Sequence, residues 1–294
     1  MKILLDNVDV NSSSGPNSFG RRLQTEIKKM GHVIDTTVVS PDVQLSFIMT
    51  NQIKAKVALR LDGIYFNSRQ NWEKLNTPIK DSFNSAELVI YQSNFNKSLT
   101  EKYFGYAKRS IVINNGTCIS TIESIPTLRQ LNEYAEIWSC ASSWRPHKRL
   151  KDNINYFLEK SPSDACLVVA GENPDYVVQH ARIFYAGKLS WEQCISLYKS
   201  SSVFLHLAFL DHCPNVVVDA RAAGCRLVVS SSGGTKEIAG LNATIVEDVD
   251  WDMLPLDLYS PPAIDYSRER SNEIVSNIDI VDVSRQYISA LESI

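Results

Sequence analysis

The sequence alternates between short apolar runs and longer amphipathic segments along most of its length. At the start, an apolar run over Lys2–Val8 precedes a polar loop at 11–18 and a helical pattern over Phe19–Met30, which Gly31 ends. Val33–Val39 then has the composition of a second strand. A helix between two strands permits parallel pairing, because parallel strands need a long crossover. The opening therefore predicts an α/β fold built on a parallel sheet.

The same alternation continues to the end of the chain. The further predicted strands are Val43–Met49, Ala55–Leu61, Leu88–Gln92, Ser110–Ile113, Ile137–Ala141, Ala165–Ala170, Ile183–Tyr185, Val203–Leu207 and Leu227–Ser230. The further predicted helices are Trp72–Asn84, Asn94–Phe104, Lys151–Lys160, Trp191–Ser200, Pro214–Ala223 and Val281–Ile294. Repeated βα units in both halves predict two Rossmann-like, doubly wound domains.

The length of 294 residues exceeds that of one average domain and suits two. A polar stretch at 121–136 lacks strong periodicity, and we place the domain boundary within it. The predicted organisation is a first domain at 1–132, a second at 133–270 and a helical tail at 271–294. We expect the tail to pack back toward the first domain.

Charge is unevenly distributed, although the net value is only −3. Residues 1–130 carry 16 Lys and Arg against 11 Asp and Glu, whereas residues 131–294 carry 14 against 22. A basic first half is compatible with an anionic partner, either DNA or a membrane surface bound peripherally. The excess is small beside that of dedicated nucleic-acid-binding domains, so an ordinary solvated surface is the favoured interpretation.

The cysteines and the N-terminus indicate a cytoplasmic protein. The six cysteines, at 118, 140, 166, 194, 213 and 225, have no metal-site spacing and are typical of reduced, buried thiols. The apolar run at the N-terminus is too short for a signal peptide, and no stretch is long enough for a transmembrane segment. His206, His212 and Cys213 lack a fourth ligand, so we expect no metal site.

Two acids eight positions apart, Asp211 and Asp219, mark the stretch with the strongest chemical signal. Pro214 between them suits the first turn of a helix, where its missing N–H costs nothing. The N–H groups of Asn215 and Val216 would then point out of the helix start, which is a favourable position for phosphate. The ionised Asp219 carboxylate can accept hydrogen bonds from a ribose diol. The stretch therefore indicates either a site for a nucleotide or a helix whose N-terminal acid only complements the helix dipole.

The residue order here is also similar to that of a known family. The chain reads P-N-V-V-V-D-A-R-A-A-G over 214–224 and R-L-V-V-S-S-S-G-G-T-K-E over 226–237. This closely resembles the E-x7-E region of the retaining glycosyltransferases of family 4, the glycosyl transferases group 1. The resemblance implies the GT-B fold, with two Rossmann-like domains facing a cleft. It also implies transfer of a sugar, with retention, from a UDP- or GDP-linked donor to an acceptor hydroxyl.

A basic loop follows the first strand of the second half, over Ser142–Leu150. Three cations at the end of a strand suit a diphosphate. The loop resembles the family's phosphate-binding loop, in which Lys148 matches the family lysine. Arg145 would be the second phosphate-binding cation, although Ser143 could occupy the family's usual arginine position. These cations would offset charge on the leaving diphosphate, so neither a metal nor a permanently bound cofactor is expected.

The resemblance assigns Asp211 to the sugar, as a catalytic residue, and Asp219 to the ribose. The remaining donor contacts that it implies in the second half are Ser143, Gly171, Tyr185, Cys213, Pro214, Asn215 and Val216. In the first half, Gly15-Pro16-Asn17 resembles the family's glycine-rich loop near the diphosphate, although turn chemistry alone would explain it. Arg60 and Asp62 stand at the end of a predicted strand, where α/β sheets collect ligands. Many family members have a histidine there, for which either Asp62 or Arg60 could substitute, and we take Asp62 as the catalytic candidate. A structural turn is the alternative interpretation.

Asp211 and Asp219 both replace glutamates of the family, which keeps the charge and shortens the reach by one methylene. The replacements leave open a non-catalytic sugar-nucleotide-binding protein, and the fold leaves open an epimerase or phosphorylase. A dinucleotide oxidoreductase is disfavoured because no G-x-G-x-x-G follows either opening strand. The acceptor stays open among a glycan, a lipid-linked sugar, a small molecule and modified bases in DNA, as does the oligomeric state.

Overall fold

The computed structural model describes residues 1–12, 14–128 and 133–294, and the chain divides into two compact units. The first unit consists of Met1–Cys118, Met253–Leu256 and Asn277–Ile294. The second unit consists of Ile119–Asp252 and Asp257–Ser276. Each unit has its own sheet and its own hydrophobic core.

The first unit is built on a parallel sheet. Its strands are β1 (Lys2–Asp6), β2 (Val33–Asp35), β3 (Val43–Phe47), β4 (Val57–Leu61), β5 (Leu88–Tyr91) and β6 (Ser110–Val112). Its main helices are α1 (Gly15–Lys29), α2 (Trp72–Ser85), α3 (Asn94–Phe104) and, from the end of the chain, α9 (Ile280–Glu292). Within the described residues the strand order is β2-β1-β3-β4-β5-β6, and every neighbouring pair is parallel. The winding reverses between β1 and β3, as in a doubly wound sheet.

The central strands of this unit are deeply buried. β3 and β4 are buried at every position, as parallel strands covered on both faces are. Helix α1 contributes Phe19, Leu23 and Ile27 to the core. Tyr287 of α9 joins the same core, with its ring centroid 5.9 Å from that of Phe19. The C-terminal helix is therefore an integral part of the first unit.

The second unit is also α/β. Its strands are β7 (Glu136–Ala141), β8 (Ala165–Ala170), β9 (Ile183–Gly187), β10 (Val203–His206), β11 (Arg226–Ser230), β12 (Thr244–Val246) and β13 (Glu269–Ser271). Its helices are α4 (Ile119–Ser124), α5 (Leu150–Lys160), α6 (Trp191–Lys199), α7 (Asn215–Ala222) and α8 (Thr235–Ile238). In the described part of this unit the order is β13-β12-β11-β10-β7-β8-β9, and only β13 runs antiparallel to its neighbour. The α/β fold with two sheets that the sequence predicts is confirmed.

The units separate between Cys118 and Ile119, before the boundary at 132 that the sequence suggests. The suggested boundary falls at residues 129–132, which lie outside the described part of the chain. The polar segment after Ile119 belongs to the second unit because side chains of α6 hold it. Lys199 Nζ donates to the carbonyl oxygens of Ile122 and Glu123 at 3.2 and 2.9 Å, and Ser196 Oγ donates to that of Pro126 at 2.6 Å.

The chain also returns to the first unit before its C-terminal tail. Tyr103 in α3 donates to the carbonyl oxygen of Met253 at 2.7 Å. Leu256 pairs with Asn67 in an isolated parallel bridge. The final segment of the first unit then starts at Asn277, later than the tail at 271–294 that the pattern suggests. The cause is β13, a short strand whose exposed, polar residues give no apolar signal.

Helix α1 begins at Gly15, four residues before the predicted start at Phe19. Gly15, Pro16 and Asn17 therefore form its first turn and are not a loop. Proline is well tolerated in a first turn, because that position has no intrahelical N–H bond to lose. Among the described residues, no helix has the length and hydropathy that crossing a membrane requires.

Candidate functional site

The basic loop after β7 is anchored by its third cation. The chain passes from β7 through exposed Ser143 and Arg145 into a 3-10 turn over Pro146–Lys148. Arg149 follows in the left-handed region, with φ of 53°. Its guanidinium is fully buried and donates to the carboxylate of Asp248 at 2.6 and 3.2 Å. Arg149 therefore holds the loop in place, and Arg145 and Lys148 are the cations left to meet a ligand.

Lys148 meets the first acid of the motif. Its Nζ donates to Asp211 Oδ2 at 2.5 Å, and the two side chains are 18% and 15% exposed. His206, the last residue of β10, lies with its Nε2 3.0 Å from the same oxygen. Burial alone would raise the pKa of Asp211, but Lys148 and His206 outweigh it and hold that pKa well below its usual range. Asp211 is therefore an ionised acceptor with two side-chain partners at Oδ2, and its Oδ1 accepts a hydrogen bond from the backbone N–H of His212 at 3.1 Å.

A two-glycine turn fixes the backbone of Asp211. The N–H of Gly234 donates to the carbonyl oxygen of Asp211 at 2.8 Å. Gly233 has a φ of 74°, and a Cβ there would overlap that carbonyl oxygen and lie 2.8 Å from the nitrogen of Asp211. Only glycine fits this position, for both conformational and steric reasons. The turn after β11 thus fixes the position of the Asp211 backbone from which its side chain extends.

Helix α7 carries the second acid. Its N-cap is Pro214 and its first residue is Asn215, so the helix start directly follows buried Cys213, with Val216 in its first turn. The positive end of the helix dipole lies at this start. Asp219 is 4% exposed, and its Oδ2 accepts a hydrogen bond from Trp191 Nε1 at 3.0 Å.

Two other residues of this unit that are predicted to contact the nucleotide sugar are Gly171, directly after β8, and Tyr185, in the middle of β9. Gly171, after β8, has a φ of 117°, and a Cβ there would overlap the carbonyl oxygen of Ser142 in the basic loop. The loops after β7 and β8 are thus packed against each other through a glycine. Tyr185 in β9 bonds through its hydroxyl to the backbone of Val178, accepting from the N–H at 3.0 Å and donating to the carbonyl at 3.3 Å.

Asp62 belongs to the first unit and forms an ion pair with Arg60. Arg60 is fully buried between the rings of Phe19 and Phe47, whose centroids lie 4.5 and 4.8 Å from its guanidinium carbon. It also donates to Tyr287 Oη at 3.1 Å and to Asn115 Oδ1 at 2.7 Å. Burial raises the pKa of Asp62, and the Arg60 guanidinium offsets part of that rise. The carboxylate of Asp62 thus compensates a buried charge within the first unit.

A polar cavity of about 390 Å³ opens at the carboxyl end of β1 in the first unit. Its polar lining consists of Asp6, Asn7, Asp9, Asn17, Thr36 and Asn51. Asp6 accepts hydrogen bonds from Gln44, Ser46 and the backbone of Asn51 at 3.0–3.1 Å, so its carboxylate is fixed. Asn17 is one of the residues predicted to contact the nucleotide sugar. Its side-chain oxygen accepts a hydrogen bond from the N–H of Asp9 at 3.0 Å. The carboxylates and side-chain amides that line the cavity can form hydrogen bonds with a ligand that has many hydroxyls.

The predicted residues therefore fall into two groups. Those after β7 and β8, within β9 and around α7 lie in the second unit, where Lys148 and Asp211 are in direct contact. Gly15, Pro16, Asn17 and Asp62 lie in the first unit. The sequence patterns did not predict that His206 and Trp191 contact the two acids, because no spacing rule relates their positions to Asp211 or Asp219. In the described ranges, no group of three or more His, Cys, Asp and Glu is arranged to hold a metal ion.

Comparison with known proteins gives this geometry a context. Residues 131–257 match the family model of the glycosyl transferases group 1. No curated protein matches the sequence. Among solved structures, the sucrose-phosphate synthase from Thermosynechococcus elongatus has a TM-score of 0.68 at 12% identity, covering 85% of this chain and 86% of its own.

Two further solved structures match along nearly the whole chain. The Anabaena protein HepE in complex with UDP has a TM-score of 0.70 at 15% identity and is covered completely, as is this chain. AviGT4, a glycosyltransferase involved in avilamycin A biosynthesis, has a TM-score of 0.66 at 12% identity, covering 99% of this chain and 97% of its own. The chain therefore has the GT-B fold, and its segment 131–257 is similar to the glycosyl transferases group 1.

Proposed function

We propose that this protein is a retaining glycosyltransferase that moves a sugar from a nucleoside diphosphate sugar to an acceptor hydroxyl. One observation carries the proposal: Lys148 contacts Asp211 three residues before the N-cap of α7. A cation, an acid and the start of a helix are thereby brought together in one unit. Each of the three suits a different part of such a donor.

The diphosphate would bind to Lys148, Arg145 and the first N–H groups of α7. Phosphate oxygens favour the positive end of a helix and side chains that donate several hydrogen bonds. Arg145 is exposed, and Lys148 is partly exposed on a flexible stem, so both can turn toward a ligand. Because these groups offset the charge that develops on the leaving diphosphate, we propose that transfer is independent of a metal.

The two acids would hold the sugars of the donor. Asp219 is buried on the second turn of α7, where its carboxylate would accept from the ribose hydroxyls. Asp211 lies at the helix entry and would accept from a hydroxyl of the transferred sugar. Gly171, directly after β8, and Tyr185, within β9, would flank the base. Retention of anomeric configuration rests on the resemblance of this motif to family 4.

The nucleotide is proposed to be UDP, with GDP as the alternative. The support comes from the structural relatives, because HepE structures are in complex with UDP and with UDP-glucose. Their identity to this chain is 14–15%, so the choice of base is a matter for direct binding measurements.

The acceptor is proposed to be a glycan or another small molecule rich in hydroxyls. The cavity of the first unit supports this choice, since its lining combines Asp6 and Asp9 with three asparagines. Carboxylates repel phosphates, so modified DNA and phosphorylated acceptors fit this cavity poorly. A lipid-linked sugar remains compatible because its sugar could enter while the lipid stays outside.

A non-catalytic sugar-nucleotide-binding protein is the second candidate, because both acids are shorter than the family glutamates. Melting shifts with UDP, GDP, ADP and their glucose conjugates test donor binding, and sugar transfer to a panel of saccharides tests catalysis. We expect one nucleotide series to stabilise the protein and Lys148→Met to abolish that shift. Lys160→Met is the matched control, since Lys160 also pairs with carboxylates of this unit. No shift with any nucleotide would count against both candidates, whereas binding without transfer would favour the second.

A further inference from the structure

Oδ2 of Asp211 has two side-chain partners in the free protein, while Oδ1 accepts a hydrogen bond from the backbone N–H of His212 at 3.1 Å. A bound donor can be expected to take one of the two side-chain partners. Lys148 Nζ and His206 Nε2 lie 2.5 and 3.0 Å from the same oxygen, Asp211 Oδ2. In the proposed function the donor diphosphate attracts Lys148, which weakens its pairing with the acid. Asp211 must nevertheless stay in place to receive the sugar, and His206 is then the remaining side-chain partner of its Oδ2.

We propose that His206 is a positioning residue that keeps the Asp211 carboxylate aligned for a sugar hydroxyl of the donor while Lys148 serves the diphosphate. The proposal rests on the proposed function and adds a residue to it. His206 would not touch the substrate, because it acts through Asp211. It would therefore affect recognition of the sugar and leave recognition of the nucleotide largely unchanged.

The backbone makes His206 a more rigid partner than Lys148. His206 is the last residue of β10, which is buried throughout and lies between β7 and β11. The backbone of Asp211 is held by its hydrogen bond from Gly234. Lys148, in contrast, stands at the end of a short 3-10 turn and reaches the acid through four methylenes. Donor binding can therefore move the ammonium more easily than the imidazole.

The chemistry of His206 and Asp211 determines which of them carries the hydrogen of their hydrogen bond. An ionised carboxylate only accepts hydrogen bonds, so Nε2 of His206 must carry the hydrogen that joins them. Burial lowers the pKa of His206, with the bond to Asp211 opposing that effect in part. The imidazole is thus neutral in the free protein at neutral pH and donates through Nε2. In this arrangement its role is to orient the carboxylate, without adding a second positive charge beside Lys148.

The test compares two ligands that differ only in the sugar. UDP lacks the group that Asp211 would hold, whereas UDP-glucose contains it. Dissociation constants for both are measured by calorimetry on the wild type, His206→Leu, His206→Asn and His206→Gln, after circular dichroism has shown that each variant is folded. Gln matches the number of bonds from Cα to Nε2 of His and keeps a donor there, while Asn is one bond too short. If the donor screen prefers GDP or ADP, the corresponding nucleotide and its glucose conjugate replace this pair.

We expect His206→Leu and His206→Asn to weaken the binding of UDP-glucose by about tenfold or more, which is the usual effect of losing a hydrogen bond to a charged group. The dissociation constant for UDP should stay within about twofold of the wild-type value in all variants. His206→Gln should recover most of the affinity for UDP-glucose. Unchanged UDP-glucose binding in His206→Leu would overturn the proposal, as would an equal loss for both ligands, which marks a general structural role. If the wild type binds no nucleotide or nucleotide sugar, the proposed function itself fails and this role falls with it.

Discussion

The indole nitrogen of Trp191 donates to Asp219 Oδ2 at 3.0 Å, which joins the start of α6 to the acid of α7. The capping box between Ser190 and Gln193 fixes the turn from which Trp191 projects. Asp219 is therefore held by a neighbouring helix, in the orientation that we assign to ribose binding.

Replacing Trp191 should weaken nucleotide binding. Trp191→Phe keeps an aromatic ring and removes the N–H, so Asp219 loses a partner that directs its carboxylate. We expect an affinity for the preferred nucleoside diphosphate that is weaker by about five- to thirtyfold, or about 1–2 kcal/mol. Calorimetry measures it, with Trp251→Phe as the control for the loss of an indole elsewhere. Equal affinities of Trp191→Phe and the wild type would contradict this account of Asp219.

Lengthening the first acid should impair the protein, even though the family has glutamate there. Asp211 already contacts Lys148 at 2.5 Å, and its backbone cannot retreat because the turn at Gly233 lies directly against it. An added methylene in a packed site typically costs about 1–3 kcal/mol. We expect Asp211→Glu to lower kcat/KM for the nucleotide sugar by at least about fivefold. A rise in kcat/KM would instead identify the aspartate as a degenerate form of the family residue.

The turn at Gly233 should be intolerant of any side chain. Gly233→Ala places a methyl group against the carbonyl oxygen of Asp211 and in a left-handed conformation. We expect loss of donor binding together with a destabilisation of about 1–3 kcal/mol. Gly31→Ala is the matched control, because Gly31 has a φ of 87° and an added methyl group there would meet no atom within 4 Å. Chemical denaturation and donor titration of both variants separate backbone strain from the clash at Asp211, and equal behaviour of the two would contradict this explanation.

Acid should destabilise the second unit through His147. Burial and the neighbouring Lys148 lower the pKa of His147 to about 3, and its ring stacks on Tyr259 with centroids 5.8 Å apart. Between pH 3 and about 6.5 the unfolded chain therefore binds the proton that the folded chain excludes, and stability falls as the pH is lowered. The slope from this group is at most about 1.4 kcal/mol per pH unit. His147→Phe keeps the stacking and should reduce the dependence of the unfolding free energy on pH across this window, with His212, whose pKa is lowered to about 4, still contributing. An unchanged slope would rule out His147 as its source.

Local patterns predict most strands and helices because each has a clear apolar face or run. The predicted bounds of α3 and β8 agree with the structure at both ends. The strand β13 has three exposed residues and no such signal. The pattern places the start of α1 too late because Gly15 and Pro16 are typical turn residues, whereas the structure uses them in a first helical turn.

The side-chain partners of the site depend on packing that periodicity does not encode. His206 meets Lys148 at Asp211 because β10 lies beside β7 in the sheet, although the two strands are far apart in sequence. Asp62 shows the converse case. It stands at the end of a strand, as a ligand-binding acid would, but the buried guanidinium of Arg60 engages its carboxylate. Only the tertiary structure distinguishes these roles.

The most direct test of the central claim is the affinity of the second unit's site for a nucleotide sugar in the full chain. Calorimetric titration of UDP-glucose and GDP-glucose into the wild type, Lys148→Met, Asp219→Asn and the control Lys160→Met measures it. We expect one of these donors to bind the wild type and Lys160→Met alike, and to bind the other two variants at least tenfold more weakly. Failure of the wild type to bind either donor, or equal binding by all four proteins, would contradict the assignment of Lys148 and Asp219 to the donor site.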